Sequence, residues 1–243
     1  GVGGVFYEGR QVATLPQNVK PSSEPILSPV ITRRLRENDL PAIARQVCQV
    51  GFWIVAAQAG IALALGIPGE GVMGLIGPEF VGGTGALAFL LAAEVVAATA
   101  VVSEAALIYM ARVRNMFVSI ATIALQAVLT VGGILLVEML ELGDLFRAAA
   151  AALALALALA FASVVKSRML ARLLGEPVNN WRWALVWAAA PAVLVGWAAT
   201  FFLPEWAELL FGIPAIMAAY GYVIWHRGFG PEDRILFRKT GSS

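Results

Sequence analysis

Six long apolar runs, separated by short polar connections, dominate the chain. They cover about residues 44–66, 82–110, 116–137, 146–165, 184–203 and 207–225. An α-helix rises 1.5 Å per residue and the hydrocarbon core of a bilayer is roughly 30 Å thick, so each run is long enough to cross a membrane. The pattern predicts an all-α fold, a polytopic transmembrane helix bundle.

The run 82–110 is the one around which we expect the others to pack. It is apolar throughout except for two charged residues, Glu94 and Glu104. A helix at the surface of a soluble core would show a polar face, and this run has none. We interpret it as a transmembrane helix whose carboxylates face the bundle interior or a wet cavity, because charges in lipid are costly.

Two stretches need separate interpretation. Residues 149–160, AAAALALALALA, alternate as a strand would, but alanine and leucine are strong helix formers, so we predict a helix. Residues 63–83, LALGIPGEGVMGLIGPEFVGG, are rich in glycine and proline and predict a turn that is partly re-entrant.

Composition agrees with a membrane protein and excludes several functions. The chain is 60% hydrophobic and 14% charged, with a mean hydropathy of +0.80. A formal net charge of +1 gives no basic field for nucleic acid, so we expect no such partner. One histidine, His226, and one cysteine, Cys48, cannot form a usual metal site, and no nucleotide or nucleophile-elbow motif occurs. We expect no metal, no cofactor and no enzyme activity.

Residues 1–30 predict a further helix with one polar side, which makes about seven helices. At 100° per residue, that side carries Arg10, Thr14, Gln17, Lys20, Glu24 and Ser28. Such a helix lies on a membrane surface or lines a polar cavity. Because the chain begins at Gly1 within an apolar stretch, we expect a fragment of a longer protein.

Basic and acidic residues separate onto alternate connections. One set holds Arg33, Arg34, Arg36, Arg45, Arg112, Arg114, Lys166, Arg168, Arg172, Arg182, Arg227, Arg234, Arg238 and Lys239. The other holds Glu70, Glu79, Glu138, Glu141, Asp144, Glu205 and Glu208, with Arg147. The positive-inside rule places the first set in the cytoplasm. This predicts a membrane region at 1–226 and a cytoplasmic tail at 227–243.

Glu94 and Glu104 are the first candidates for a functional site. As intramembrane ionisable groups they suit a protonation site or the polar wall of a transport cavity. The alternative is that they only join helices by hydrogen bonds, and that Glu104 is close enough to the cytoplasmic end to reach water.

The polar side of residues 1–30 supplies the second candidates. Arg10 and Lys20 suit an anionic headgroup such as a pyrophosphate, to which cations make charge-assisted hydrogen bonds. The alternative is that Lys20 pairs with Glu24 four residues later or reaches the membrane surface.

A stripe of small and polar residues marks the run 116–137. It consists of Ser119, Thr122, Gln126, Thr130 and Gly133, at steps of three or four. Such spacing favours close helix–helix packing over a transport role.

Three stretches resemble polysaccharide-biosynthesis flippases of the multidrug/oligosaccharidyl-lipid/polysaccharide exporter superfamily. Residues 13–47, ATLPQNVKPSSEPILSPVITRRLRENDLPAIARQV, look like the second helix of the C-terminal lobe and its following loop. Residues 74–90, GLIGPEFVGGTGALAFL, resemble the turn into the next helix. Residues 104–131, EAALIYMARVRNMFVSIATIALQAVLTV, resemble the next hairpin. The likeness rests on the order and spacing of these stretches and covers nearly the whole chain.

The resemblance implies two six-helix lobes, often with two extra C-terminal helices, around a central cavity. It implies that the lobes move a lipid-linked oligosaccharide across the bacterial inner (cytoplasmic) membrane by alternating access. This chain would be the C-terminal lobe without its first helix, and its partners would be that substrate, membrane lipids and the missing N-terminal lobe. Residues 1–30 match the cavity helix, so Arg10, Gln17, Lys20 and Glu24 take a cavity role by position.

Three other functions stay open. A cation-coupled multidrug exporter of the same superfamily would share the architecture. A membrane-embedded enzyme of glycan assembly would need an intramembrane His or Asp cluster, which the sequence lacks. A scaffold would need no charge at mid-membrane, and Glu94 argues against it.

Overall fold

The computed structural model describes residues 31–76, 84–179, 181–231 and 233. Its helices are α1 (Leu40–Gly66), α2 (Gly69–Ile76), α3 (Thr84–Met110), α4 (Arg112–Met139), α5 (Asp144–Leu174), α6 (Ala184–Phe202) and α7 (Glu205–Gly228), after a short helical segment at 31–36. All of them except α2 and the short segment are long and apolar enough to cross a membrane. Across the described ranges there is no strand, so the predicted all-α polytopic bundle is confirmed.

The predicted runs correspond to α1, α3, α4, α5, α6 and α7, including the helix over 149–160. The helix predicted at 1–30 lies outside the described residues. The stretch 63–83, predicted as a partly re-entrant turn, contains α2, whose Val72 packs into a cluster with α3 and α5, and residues 77–83 lie outside the described residues. Tertiary packing of this kind outweighs the low helix propensity of the glycines in the stretch.

Local sequence signals set several helix ends. The carboxylate of Asp39 accepts a hydrogen bond from the backbone N–H of Ala42 at 3.2 Å, which caps the start of α1, where Pro41 occupies the first turn. At the end of α5, Gly175 adopts the left-handed conformation with φ of 68°, which glycine tolerates without strain. This end matters because α5 continues nine residues beyond the apolar run predicted at 146–165.

Helix α3 lies at the centre of the bundle, as the sequence predicted. It packs chiefly against α5 and α1. The contact surfaces are built from small side chains that allow close approach: Ala93, Ala98, Ala106, Ala152 and Ala158 are fully buried. In the most apolar 18-residue window of each helix, 61% of the residues are buried in α3 and 11% in α4. Helix α4 is therefore peripheral, contacts mainly α5, and exposes large apolar side chains to lipid.

Helices α6 and α7 form a second pair that docks on α1. The Tyr220 hydroxyl on α7 donates a hydrogen bond to the Ala56 carbonyl on α1 at 2.7 Å, and its ring lies directly over Gly60. Any side chain at Gly60 would meet this ring, since a Cβ atom there would be 2.9 Å from it. The interface thus depends on a glycine where a tyrosine enters.

Gly196 on α6 provides a test of this packing. A Cβ atom there would lie 2.6 Å from Ile67 Cγ2 and 3.0 Å from Ile216 Cδ1. We expect Gly196→Ala to lower the free energy of unfolding by about 1–3 kcal/mol through overpacking. The matched control is Gly132→Ala on α4, where no atom lies within 4 Å. Thermal unfolding in detergent should show a lower Tm for the first variant only, and equal Tm values would contradict the docking of α6.

Candidate functional site

The predicted site residues divide into two groups. Arg10, Gln17, Lys20 and Glu24 lie outside the described residues, so their cavity role stays a prediction. Glu94 and Glu104 both lie on α3 and are ten residues apart.

Glu94 is a buried carboxylate within the bundle. Glu94 is only 6% exposed and lies ten residues after the first residue of α3. At 1.5 Å per residue it lies about 15 Å along the helix, at a depth close to mid-membrane. Its neighbours one turn away, Leu90 and Ala98, are buried in the contacts of α3 with other helices. Glu94 therefore faces protein, as the sequence predicted for a carboxylate in this run.

Glu104 forms an ion pair with Lys166 across the α3–α5 interface. The distance from Lys166 Nζ to Glu104 Oε2 is 3.1 Å. The lysine side chain is 6% exposed, whereas the glutamate side chain is 38% exposed. One member of the pair is thus removed from solvent and the other still reaches the edge of the bundle. The sequence left open that Glu104 is close enough to the end of the span to reach water. Its side chain is indeed partly exposed, and the same carboxylate also binds a buried cation.

Helix α4 completes the surroundings of the pair. Lys166 Nζ also donates to Ser119 Oγ at 3.1 Å, and Asn115 Nδ2 donates to Glu104 Oε1 at 3.4 Å. Asn115 is 6% exposed, and its Oδ1 atom accepts no hydrogen bond from the described residues. The charged pair is consequently embedded in a four-residue polar cluster contributed by three helices, with one acceptor still open.

Two hydroxyl pairs belong to the same interface, one beside the ion pair and one a turn further from the end of α3. Thr99 Oγ1 hydrogen-bonds Ser163 Oγ, and Ser103 Oγ lies 3.4 Å from Ser167 Oγ. Together with Glu104–Lys166, these contacts form what we call the α3–α5 polar seam. Hydrogen bonds between transmembrane helices stabilise association because the hydrocarbon offers no alternative partner. The seam fixes the register of α3 against α5.

The stripe on α4 behaves as a packing surface, as predicted. Gly133 faces Ala150 on α5, and a methyl group added to this glycine would lie 3.4 Å from Ala150 Cβ. Thr122 is buried and returns its hydroxyl to the Val118 carbonyl of its own helix at 2.8 Å. Ser119 adds a function that the stripe did not predict, because it binds Lys166.

Lys166 and Glu208 were wrongly placed in connections by the sequence. Lys166 lies within α5 because the helix continues to Leu174. Glu208 lies within α7 and is 6% exposed, and its Oε1 accepts a hydrogen bond from Thr200 Oγ1 at 2.6 Å. The burial of Lys166 could have been predicted from helical periodicity. Ala162, Lys166 and Leu170 follow one another at steps of four residues and share the buried face of α5.

A second polar cluster closes the end of the bundle where α1 begins and α7 ends. The carboxylate of Asp233 is 2% exposed and accepts four hydrogen bonds. Gln49 Nε2 at 2.8 Å and Trp53 Nε1 at 3.0 Å bind Oδ1, while Arg182 Nη1 at 3.0 Å and the Gly230 N–H at 2.7 Å bind Oδ2. Within the range 227–243 predicted as a tail, α7 thus continues to Gly228 and Asp233 is packed against α1.

Arg182 is shared by several groups in this cluster. It also donates to the Gly228 carbonyl at 2.8 Å, and its guanidinium lies 4.2 Å from the centre of the Phe52 ring. A cavity of about 690 Å³ opens beside it, lined among others by Arg45, Cys48 and Gln49. The cluster therefore joins α1 to the segments before α6 and after α7.

No group of three or more His, Cys, Asp or Glu residues in the described ranges could hold a metal ion. The Glu104–Lys166 pair supplies a charged contact between two helices, and Ser119 is a second partner for the ammonium. Ionisable residues within transmembrane segments commonly pair with one another and mark the path of a substrate or an ion.

Asp233 predicts a pH-dependent stability. Burial raises the pKa of its carboxyl, but the hydrogen bonds from Gln49, Gly230 and Arg182 and the charge of Arg182 outweigh it, so the pKa lies below its ordinary value of 3.8. A depressed folded-state pKa adds stability above pH 3.8 that is lost as the pH falls through the folded-state value. We expect Asp233→Asn to lower the free energy of unfolding by about 1–2 kcal/mol at pH 7, because Arg182 is partly exposed.

Thermal unfolding of this variant at pH 7 and pH 3 checks the expectation. The difference from the unsubstituted protein should shrink at the lower pH. Asp144→Asn is the control, since Asp144 pairs with Arg147 at a largely exposed position and should change stability by less than about 0.5 kcal/mol. A constant difference at both pH values would exclude the ionised carboxylate as the stabilising group.

No family model, no curated protein and no solved structure matches this chain.

Proposed function

We propose that this chain is the C-terminal half of a membrane flippase or exporter. It translocates a lipid-linked oligosaccharide, a polysaccharide or O-antigen precursor, across the bacterial inner membrane by alternating access. In this proposal it is not an enzyme, and it works with an N-terminal lobe that the chain does not contain. The basis is the resemblance of residues 13–47, 74–90 and 104–131 to such flippases, together with the helix bundle.

The observation that carries the proposal is the burial of Glu94 deep in the central helix. A carboxylate near mid-membrane is costly, and such residues usually mark a substrate, ion or proton pathway. We therefore take transport as the role of the buried Glu94. The alternative is that its carboxylate only joins helices by hydrogen bonds, and the Glu94 variants below separate the two roles.

The α3–α5 polar seam supports the alternating-access part of the proposal. In transporters of this kind, one half rocks against the other around the substrate, and each half moves largely as a rigid body. The charged pair, the adjacent Ser103–Ser167 pair and the Thr99–Ser163 pair one turn away hold α3 and α5 in one register. A half built in this way can move as a unit.

The orientation is part of the same proposal. Arg114, Arg168, Arg172 and Arg182 lie at one end of the bundle, which we call the Arg-rich end, while Glu138, Glu141, Asp144 and Glu205 lie at the other. The positive-inside rule places the Arg-rich end, and with it the C-terminus, in the cytoplasm.

Glu94→Gln in the full-length protein tests the proposal. Glutamine keeps the shape and hydrogen-bonding capacity of glutamate but cannot ionise. We expect glycan export to fall by about tenfold or more at normal protein level, which corresponds to about 1.4 kcal/mol on the limiting barrier. The measurement is the amount of surface glycan in a strain that depends on this protein, divided by the amount of protein in the membrane.

Two controls make the result interpretable. Glu141→Gln changes an exposed carboxylate at the end of α4 and should leave export unchanged. Glu94→Leu should lower expression if the carboxylate mainly joins helices. Normal export by Glu94→Gln would remove Glu94 from the site, and normal glycan export after deletion of the whole gene, with lost drug resistance, would favour the multidrug exporter.

A further inference from the structure

A cavity of about 530 Å³ opens where α4 begins and α5 ends, at the Arg-rich end. It is lined by three arginines, Arg114, Arg168 and Arg172, and by three apolar side chains, Val165, Met169 and Leu173. It is separate from the Glu104–Lys166 pair and from the Asp233 cluster, because neither contributes a lining residue.

The helical register explains how the arginines meet. On α5, Arg168 and Arg172 are four residues apart and share one face with the three apolar lining residues. The opposite face of the same segment, with Lys166, Leu170 and Leu174, is buried in the bundle. Arg114 reaches the cavity from the first turn of α4. The cavity therefore lies on the outer side of the bundle, with Met169 and Leu173 also packed against the core.

These arginines differ in their partners from four other cations of the chain. Arg33 and Arg34 pair with Glu37, Arg182 pairs with Asp233, and Lys166 pairs with Glu104. In the part of the chain that the structure describes, no carboxylate lies within ion-pair distance of Arg114, Arg168 or Arg172. Three like charges around one cavity repel one another, and an anion placed among them removes that repulsion.

We propose that this cavity binds the phosphate headgroup of an anionic membrane lipid. Guanidinium groups form bidentate, charge-assisted hydrogen bonds with phosphate oxygens, and basic pockets between transmembrane helices at the cytoplasmic side suit lipid headgroups. The apolar side chains of Val165, Met169 and Leu173 offer a surface for the acyl or prenyl chain, which a soluble phosphate lacks. This site rests on the proposed orientation of the chain but not on the transport of a glycan, because it uses residues outside the cavity helix and Glu94.

Lipid retention by the purified full chain tests the site. The protein in detergent is titrated with phosphatidylglycerol, cardiolipin, a polyprenyl diphosphate, phosphatidylcholine and soluble pyrophosphate, and bound lipid is counted by native mass spectrometry. We expect the phosphate-bearing anionic lipids to bind and phosphatidylcholine to bind weakly. Each Arg→Gln substitution at the three positions should weaken binding on the order of fivefold. Preference for a phospholipid or for the prenyl diphosphate then identifies the source of the headgroup.

Matched variants separate a built site from general positive charge. Arg112→Gln removes an exposed arginine two residues from Arg114 that does not line the cavity, and Arg227→Gln removes one at the end of α7. Neither should change binding. The Arg→Lys variants at the three positions should bind the lipids more weakly than the native protein and more tightly than the Gln variants. Lysine keeps the positive charge but cannot form the bidentate hydrogen bonds of a guanidinium group.

Three results would overturn the proposal. One is equal weakening by Arg112→Gln or Arg227→Gln, which would indicate surface charge alone. The second is tighter binding of soluble pyrophosphate than of any lipid. The third is unchanged lipid binding by the Arg114, Arg168 and Arg172 variants. Because all three side chains are exposed, loss of the fold should not intervene, and an unchanged Tm for each single variant checks this.

Discussion

One ion pair inside the helix bundle, Glu104 with Lys166, is the interaction on which the rest of the structure depends. It joins the central helix α3 to α5, and through Ser119 and Asn115 it also holds α4. A buried cation is tolerable only with a partner, since removing that partner leaves an uncompensated charge. Lys166 therefore restricts how α3 and α5 can be arranged. The hydroxyl pair Ser103–Ser167 lies beside the ion pair, and Thr99–Ser163 continues the same register one turn away.

The seam also explains why so much of the bundle interior is alanine. Hydrogen bonds between hydroxyls require the two backbones to approach closely, and alanines at the α3 contacts permit that approach. The packing differs outside this centre. Helix α4 exposes large apolar side chains to lipid, and the pair of α6 and α7 docks where Tyr220 and Ile67 each contact a glycine. The chain thus separates a polar, closely packed centre from an apolar, lipid-facing periphery. Such a division suits a rigid half of a transporter.

Hydrophobic run length predicted the six spans and the central place of α3, because a bilayer imposes that length on any helix that crosses it. It failed at the polar contacts. The length of an apolar run does not show whether a charged residue at its end has a partner inside the bundle. Lys166 therefore appeared to end a span, and Glu208 was misplaced for the same reason. Asp233 could not be predicted at all, because its partner Gln49 is 184 residues away in the sequence. Burial of Glu94 was predictable from its position, whereas the cavity role of Arg10, Gln17, Lys20 and Glu24 stays a prediction.

The most direct measurement of the central claim is a double-mutant cycle on Glu104 and Lys166. The free energy of unfolding in mixed micelles is measured for the native protein, Glu104→Gln, Lys166→Met and the double variant. We predict a coupling free energy of about 1 kcal/mol or more, with partial recovery of stability when the two charges are exchanged. Effects that add within about 0.3 kcal/mol would show that the pair is not a stabilising contact and would contradict the account.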